Sequence, residues 1–181
     1  MTTPSFITAQ AAELRSVFDK ARALPFTLSR EEQAESLLAI RVSQDAYAVR
    51  VNEISGLVTD RKIVPFPSPI PELLGVAGIR GALVPVYSLA ALLGYGAEAG
   101  QVRWLALCGT EEPLALAFGG FEGYTQIPLG QLYSAGQKDV SRMYVTHVAQ
   151  VTNSVRAVVS IPLIRKAIQE HCRSGRVHKE R

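Results

Sequence analysis

The spacing of apolar positions along this chain changes from helical to alternating and back again. Over residues 9–24, Leu14, Val17, Phe18 and Ala21 recur at helical spacing, Glu13, Arg15, Asp19 and Lys20 occupy the rest of the turn, and Pro25 ends the run. An amphipathic N-terminal helix is expected, serving either as a cover on the protein's own body or as a docking element for a partner. Residues 29–35, Ser-Arg-Glu-Glu-Gln-Ala-Glu, read as a linker. From Ser36 the pattern alternates: Leu38, Ile40 and Val42 share one face, and Tyr47, Val49 and Val51 follow a Ser-Gln-Asp turn, which predicts a hairpin.

The stretch Ile63-Val-Pro-Phe-Pro-Ser-Pro-Ile-Pro71 lacks the amide donors of a central strand, so an extended surface connection pinned by Phe66 and Ile70 is expected. Val76 and Ile79 flank a turn at Gly78 to Gly81, the β-pattern of Ala82 to Tyr87 follows, and a single helical turn from Leu89 to Leu93 closes at Gly94. Further strands are predicted at 102–108, 114–118, 121–127, 144–151 and 155–160. Ser160 suits an N-cap and Pro162 a first helical turn, with Ile164, Ala167, Ile168 and Cys172 forming the stripe of a last helix. Beyond Ser174-Gly175 a frayed tail is expected. Many short strands at close spacing argue for barrels or sandwiches and against a parallel α/β sheet.

Composition adds boundaries. The chain has 181 residues, 48% of them hydrophobic and 19% charged, enough for one domain or two closely joined subdomains with their own core. The expected division is a helix and linker over 1–35, a folded body over 36–172, and a basic disordered tail over 173–181. The net charge of +3 is misleading, because residues 165–181 alone hold six Lys or Arg against two Glu. The body is therefore slightly acidic, a poor match to the basic, aromatic-interleaved face of a nucleic-acid binder. Cys108 and Cys172 stand far apart, the N-terminus lacks a secretory pattern, and no apolar run is long enough to cross a bilayer. A reducing cytoplasmic setting without membrane insertion follows.

Candidate chemistry is sparse. His147 lies inside the apolar strand pattern Tyr144-Val-Thr-His-Val-Ala, where a structural role is expected. His171, Cys172 and His178 fall one ligand short of a structural zinc site and lie at the chain end. The glycines at 75, 78 and 81, at 94 and 96, and at 119, 120 and 123 match neither a phosphate loop nor a dinucleotide loop and read as turn residues. No catalytic, metal or cofactor site is expected. Arg80 is different: a permanent charge set between Gly78 and Gly81 in the most apolar third of the chain. It is either a solvated loop residue or a fixed recognition element for a carboxylate on this chain or on a partner.

The run Leu73-Leu-Gly-Val-Ala-Gly-Ile-Arg-Gly-Ala-Leu-Val-Pro-Val-Tyr-Ser-Leu-Ala-Ala-Leu-Leu-Gly94 resembles the signature of CheW-like domains, in which a hydrophobic-Gly-Val stretch leads to Asn-Leu-Arg-Gly and then to Pro-Val-x-Asp-Leu. Residues 38–47 look like that family's opening hairpin, Ile63-Val-Pro-Phe-Pro like its connector, and Gly119-Gly-Phe-Glu-Gly-Tyr like its later strand, so the resemblance spans about 36–170. It implies a mainly β fold of two small five-stranded, SH3-like barrels with a hydrophobic groove between them. It also implies a non-enzymatic chemotaxis adaptor that binds chemoreceptor tips and the regulatory domain of the histidine kinase CheA. By position, Arg80 is the arginine of the family's turn, associated with partner binding and with an ion pair to a glutamate after the second strand.

Here the sequence departs from the family. Counted back from Arg80, the glutamate's place falls on Gly56, with Glu53 one turn earlier, and Gly78 and Ser88 stand for the family's Asn and Asp. These changes point to a specialised member, serving an accessory chemosensory or motility system, with Arg80 released toward a partner. The expected partner-binding set is Arg80 with Ile79 and Gly81, together with Ile54, Gly56, Leu57, Val58 and Val84, although each apolar member reads more readily as core than as surface. A barrel that holds nucleic acid or a small ligand through its basic tail is the alternative.

Overall fold

The computed structural model describes residues 34–96, 102–135, 143–151 and 154–177, and the predicted helix over 9–24 lies outside them. The compact unit begins at Ala34. Its strands are β1 (Ala34–Val42), β2 (Asp45–Arg50), β3 (Gly56–Thr59), β4 (Ile63–Val64), β5 (Leu73–Ile79) and β6 (Ala82–Ser88), then the short helix α1 (Leu89–Leu92). There follow β7 (Trp104–Cys108), β8 (Leu114–Phe118), β9 (Gly120–Pro128), β10 (Leu132–Ser134), β11 (Val145–Val151), β12 (Ser154–Val159) and the helix α2 (Ile161–Val177).

The strands form two six-stranded sheets, in the orders β10-β11-β12-β2-β1-β9 and β3-β7-β8-β6-β5-β4. Each is mostly antiparallel with one parallel pair, β2 with β12 and β6 with β8. The expected count of five per subdomain is exceeded by β10, whose three residues are too few for alternation to be visible, and by the two-residue β4 at the head of the proline-rich segment.

Alternation along each strand sorts side chains into three apolar layers. Ile40, Val42 and Val49 in the first sheet, and Ala106, Leu116 and Phe118 in the second, face a layer between the sheets, joined by Leu89 of α1 and by Ile161, Ile164 and Ile168 of α2. Their odd-even neighbours point the other way. Leu37, Ala48, Ala149 and Val158 fill the concave side of the first sheet, while Ala77, Val84, Leu105, Ala115 and Ala117 fill that of the second. The alanines belong there because the inside of a small curled sheet has room only for short side chains at many positions. The curl brings β9 against β11 in the first sheet, although neither is the other's ladder neighbour.

Three expectations need correction. Ala34 and Glu35 belong to β1, not to a linker, because β9 continues as far as Pro128 and pairs with Ala34. Ile70 packs on the inter-sheet layer, but Phe66 is 60% exposed and joins none of the apolar clusters among the described residues. The last helix continues through Ser174-Gly175 to Val177 instead of fraying after residue 172.

Candidate functional site

Arg80 and Gly81 are the two loop residues of the β5–β6 hairpin, closed by the pair Ile79↔Ala82. Both have positive φ, 50° and 81°, as a two-residue hairpin turn requires if its twist is to match the strands. Glycine adopts this region freely, whereas for arginine the left-handed conformation costs on the order of 1 kcal/mol. The flanking ladder and the burial of Ile79 and Val84, 4% and 3% exposed, hold the turn against that cost.

The Arg80 side chain is exposed and reaches toward β3, the far edge of its own sheet. A Cβ built on Gly56 would sit 3.4 Å from Nη2 of Arg80 and 3.6 Å from Cδ1 of Leu107. Strands β7 and β8 lie between β3 and β6 in the sheet order, so this approach is a measure of how far the second sheet has curled. Among the described residues the Arg80 guanidinium makes no hydrogen bond or ion pair. Beside the turn, a Cβ placed on Gly78 would meet no heavy atom within 4 Å, and its cross-strand neighbour Leu83 is 77% exposed. On the same face Val64, Val76 and Pro85 form a cross-strand row, with Val64 51% exposed.

The predicted binding set therefore divides. Arg80 and Gly81 are exposed and Gly56 is half-buried beneath the guanidinium. Ile79 and Val84 lie within the concave core of the second sheet and Val58 packs against it, while Ile54 and Leu57 pack on the layer between the sheets. Among the described residues, an apolar void of about 10 Å³, about one water in size, lies between the sheets against Ile54 and Leu57. The exposed residues that sequence reasoning missed are Leu83 and Val64; the outward positions of β4, β5 and β6 were the available signal.

Glu53 does not stand in for a carboxylate opposite Arg80. It lies in the short 3₁₀ turn Val51–Glu53, where Oε1 accepts from Nη1 of Arg50 at 3.3 Å and Oε2 accepts from the Ile161 backbone N–H at 2.8 Å. It thus caps the α2 N-terminus, where a negative charge is favoured by the unpaired amides and the helix dipole. Arg50 also donates to Nδ1 of His147 at 2.9 Å and lies 3.7 Å from Glu35. Burial, and then the adjacent Arg50 charge, hold the His147 pKa below its ordinary value, so this imidazole is a neutral acceptor that ties β11 to β2.

The other titratable groups are structural as well. Burial pushes the Cys108 thiol up to about 12, and burial together with a contact to Cys172 pushes the Tyr87 hydroxyl up to about 12. Neither is a nucleophile at neutral pH. A shallow cleft of about 410 Å³ between β6 and α2 is lined by Tyr87, Glu112, Arg165 and Cys172 among others, with no nucleophile activated by a base. No group of three or more His, Cys, Asp or Glu among the described residues is arranged to hold a metal.

The family model of the CheW-like domain matches residues 36–169, most of the chain. The chain belongs to the CheW-like domain family. The crystal structure of the scaffolding protein TtCheW from Thermoanaerobacter tengcongensis superposes with a TM-score of 0.64, covering 71% of this chain and 90% of that one at 14% sequence identity. That likeness establishes the CheW fold for the two curled sheets. No curated protein matches the chain significantly in sequence. As a CheW-like domain, the chain keeps the arginine turn and places Gly56 beside the guanidinium. No helix among the described residues is long and apolar enough to cross a membrane.

Proposed function

We propose that this chain is a non-catalytic chemosensory adaptor of the cytosol, coupling chemoreceptor tips to a CheA-type histidine kinase through protein contacts, in an accessory sensory or motility system. One observation carries the reading beyond family membership: Arg80 is held in the left-handed region on a buried hairpin base, exposed and without an intramolecular partner among the described residues. A residue kept in an unfavourable conformation with no compensating contact of its own points to a role outside the fold. Arg80 sets orientation, and the exposed apolar face beside it, Leu83 with Val64, Val76 and Pro85, supplies contact area. Ile79, Val84 and Val58 contribute from beneath by fixing the turn, and Gly81 permits it.

Co-purification tests this reading. The tagged full-length chain is expected to retain the regulatory domain of a CheA-type kinase, or a receptor tip, from its own cell. Failure to retain any kinase or receptor at micromolar concentrations would overturn it.

A further inference from the structure

One end of the first sheet is tied across its strands by the Arg50 side chain. β12 lies between β2 and β11 in the sheet order, so the guanidinium crosses a strand to reach β11, where Nη2 donates to Nδ1 of His147 at 2.9 Å and Nη1 to Oγ1 of Thr146 at 3.5 Å. It arrives at an interruption of the ladder, because the register of β11 on β12 shifts between Val145 and His147. Such a bulge leaves a residue unpaired and disrupts the hydrogen bonding around it, so the side-chain tie holds β11 where the backbone holds it least. β10 depends on the same place. This three-residue strand ends the sheet and pairs with β11, with Ser134 opposite His147.

The tie needs a neutral ring. A guanidinium can only donate, so Nδ1 must accept, and on protonation both ring nitrogens become donors and two cations face each other. The groups around the ring are Arg50 of β2, Glu35 of β1 and Glu53 of the 3₁₀ turn, with Val158 of β12 and Ser134 of β10 opposite it in the ladders. Both carboxylates are already engaged. Glu35 lies 3.7 Å from Nε of Arg50, while Glu53 accepts from Nη1 at 3.3 Å and from the first amide of α2, so neither turns to an imidazolium without giving up a contact. We infer that His147 is a proton-operated latch on the β10–β11 edge: the neutral ring holds the edge to Arg50, and the protonated ring releases it, opening the first sheet at that end while the rest of the fold stands. Burial and the Arg50 charge oppose the proton in the closed state, and the opened edge returns the ring to its ordinary value of 6.5. The open population therefore rises as pH falls below 6.5, by at most about tenfold per pH unit. The edge carries an outward apolar row, Tyr133, Val148 and Ala157 on β10, β11 and β12, with Tyr133 56% exposed, so acid breaks up that face and spares the Arg80 turn on the other sheet.

Native-state hydrogen exchange on the full-length chain tests the latch, with protection factors corrected for the intrinsic effect of pH and His147 titrated by NMR in the same samples. In the wild type, amides of β10 and β11 are expected to be less protected than those of β5 and β6 and insensitive to low urea, as a local opening requires. Their protection should fall about threefold to tenfold between pH 7.5 and 5.5, with a midpoint that follows the His147 ring. His147→Gln, whose amide oxygen still accepts from Arg50 and takes no proton, should change less than twofold over the same range. Protection that stays constant with pH in the wild type overturns the inference, and so does an equal fall in His147→Gln. Exchange of β10 and β11 that matches β5 and β6 and accelerates with urea overturns it as well, since the opening would then be global unfolding. The wild type alone decides the matter if the variant does not fold, because a loss of protection centred away from the His147 titration assigns the effect to another group.

Discussion

Arg80 and Glu53 are charged residues a short way apart along the second sheet and its approach, yet their surroundings assign them opposite tasks. Glu53 accepts from Arg50 and from the first amide of α2, so its removal leaves that helix amide without its acceptor and takes one of several acceptors from the Arg50 guanidinium. Glu53→Ala should therefore lower stability by about 1–3 kcal/mol in urea unfolding, the usual range for an orphaned buried donor. Arg80 makes no such contact and occupies a conformation that glycine prefers. Arg80→Gly should leave stability unchanged or raise it by up to about 1 kcal/mol, since the gain from relieved strain is offset by the greater freedom of the unfolded chain. Its partner binding should nevertheless fall. His147 adds a pH dependence. Its pKa is depressed in the folded state, so the unfolded chain takes up its proton first and stability is lost as pH falls below the ordinary value of 6.5. Glu122, held below its ordinary 4.5 first of all by the hydrogen bond from Arg156, adds a second loss at lower pH. His147→Gln should remove the first step from a stability-versus-pH curve and leave the second.

The strands were legible where apolar residues alternate or run on over five or more positions between turn residues, as in β1, β6, β7 and β8. β10 escaped because Leu132-Tyr-Ser offers a single period, and the far end of α2 escaped because Ser174-Gly175 resembles a stop although the helix runs on to Val177. Phe66 was misplaced because a large apolar residue among prolines reads as an anchor, while the anchor is Ile70 and the close backbone approach of Gly75. At Gly75, φ is 145° and an added Cβ would lie 2.1 Å from the Val64 carbonyl oxygen, so β4 can pair with β5 only if that position has no side chain. Gly75→Ala is expected to cost about 2–4 kcal/mol and to expose the segment from Ile63 to Pro71 to proteolysis first, because it must displace backbone. Gly78→Ala, with open space above it, should cost well under half of that.

At the scale of the whole molecule, composition and strand count pointed to curled sheets, and the signature around Arg80 pointed to the family. What sequence could not sort was which apolar residue faces which layer, since β1, β7 and β8 are apolar on both faces. One parity lines the space between the sheets and the other the inside of a curl. For the same reason Ile79 and Val84 read as interface or core alike, whereas Leu83 stayed unnoticed beside the buried Val84. The basic end of the chain plays no part in this account, and deleting residues 173–181 should leave kinase binding within about twofold and no steeper in salt. The most direct measurement is calorimetric titration of the CheA-type regulatory domain with the wild-type chain and with Arg80→Glu, beside the thermal unfolding of both. The account predicts saturable binding by the wild type, at least a tenfold loss in the variant, and superimposable unfolding curves. Equal affinities, or a variant that unfolds at clearly lower temperature, would contradict it.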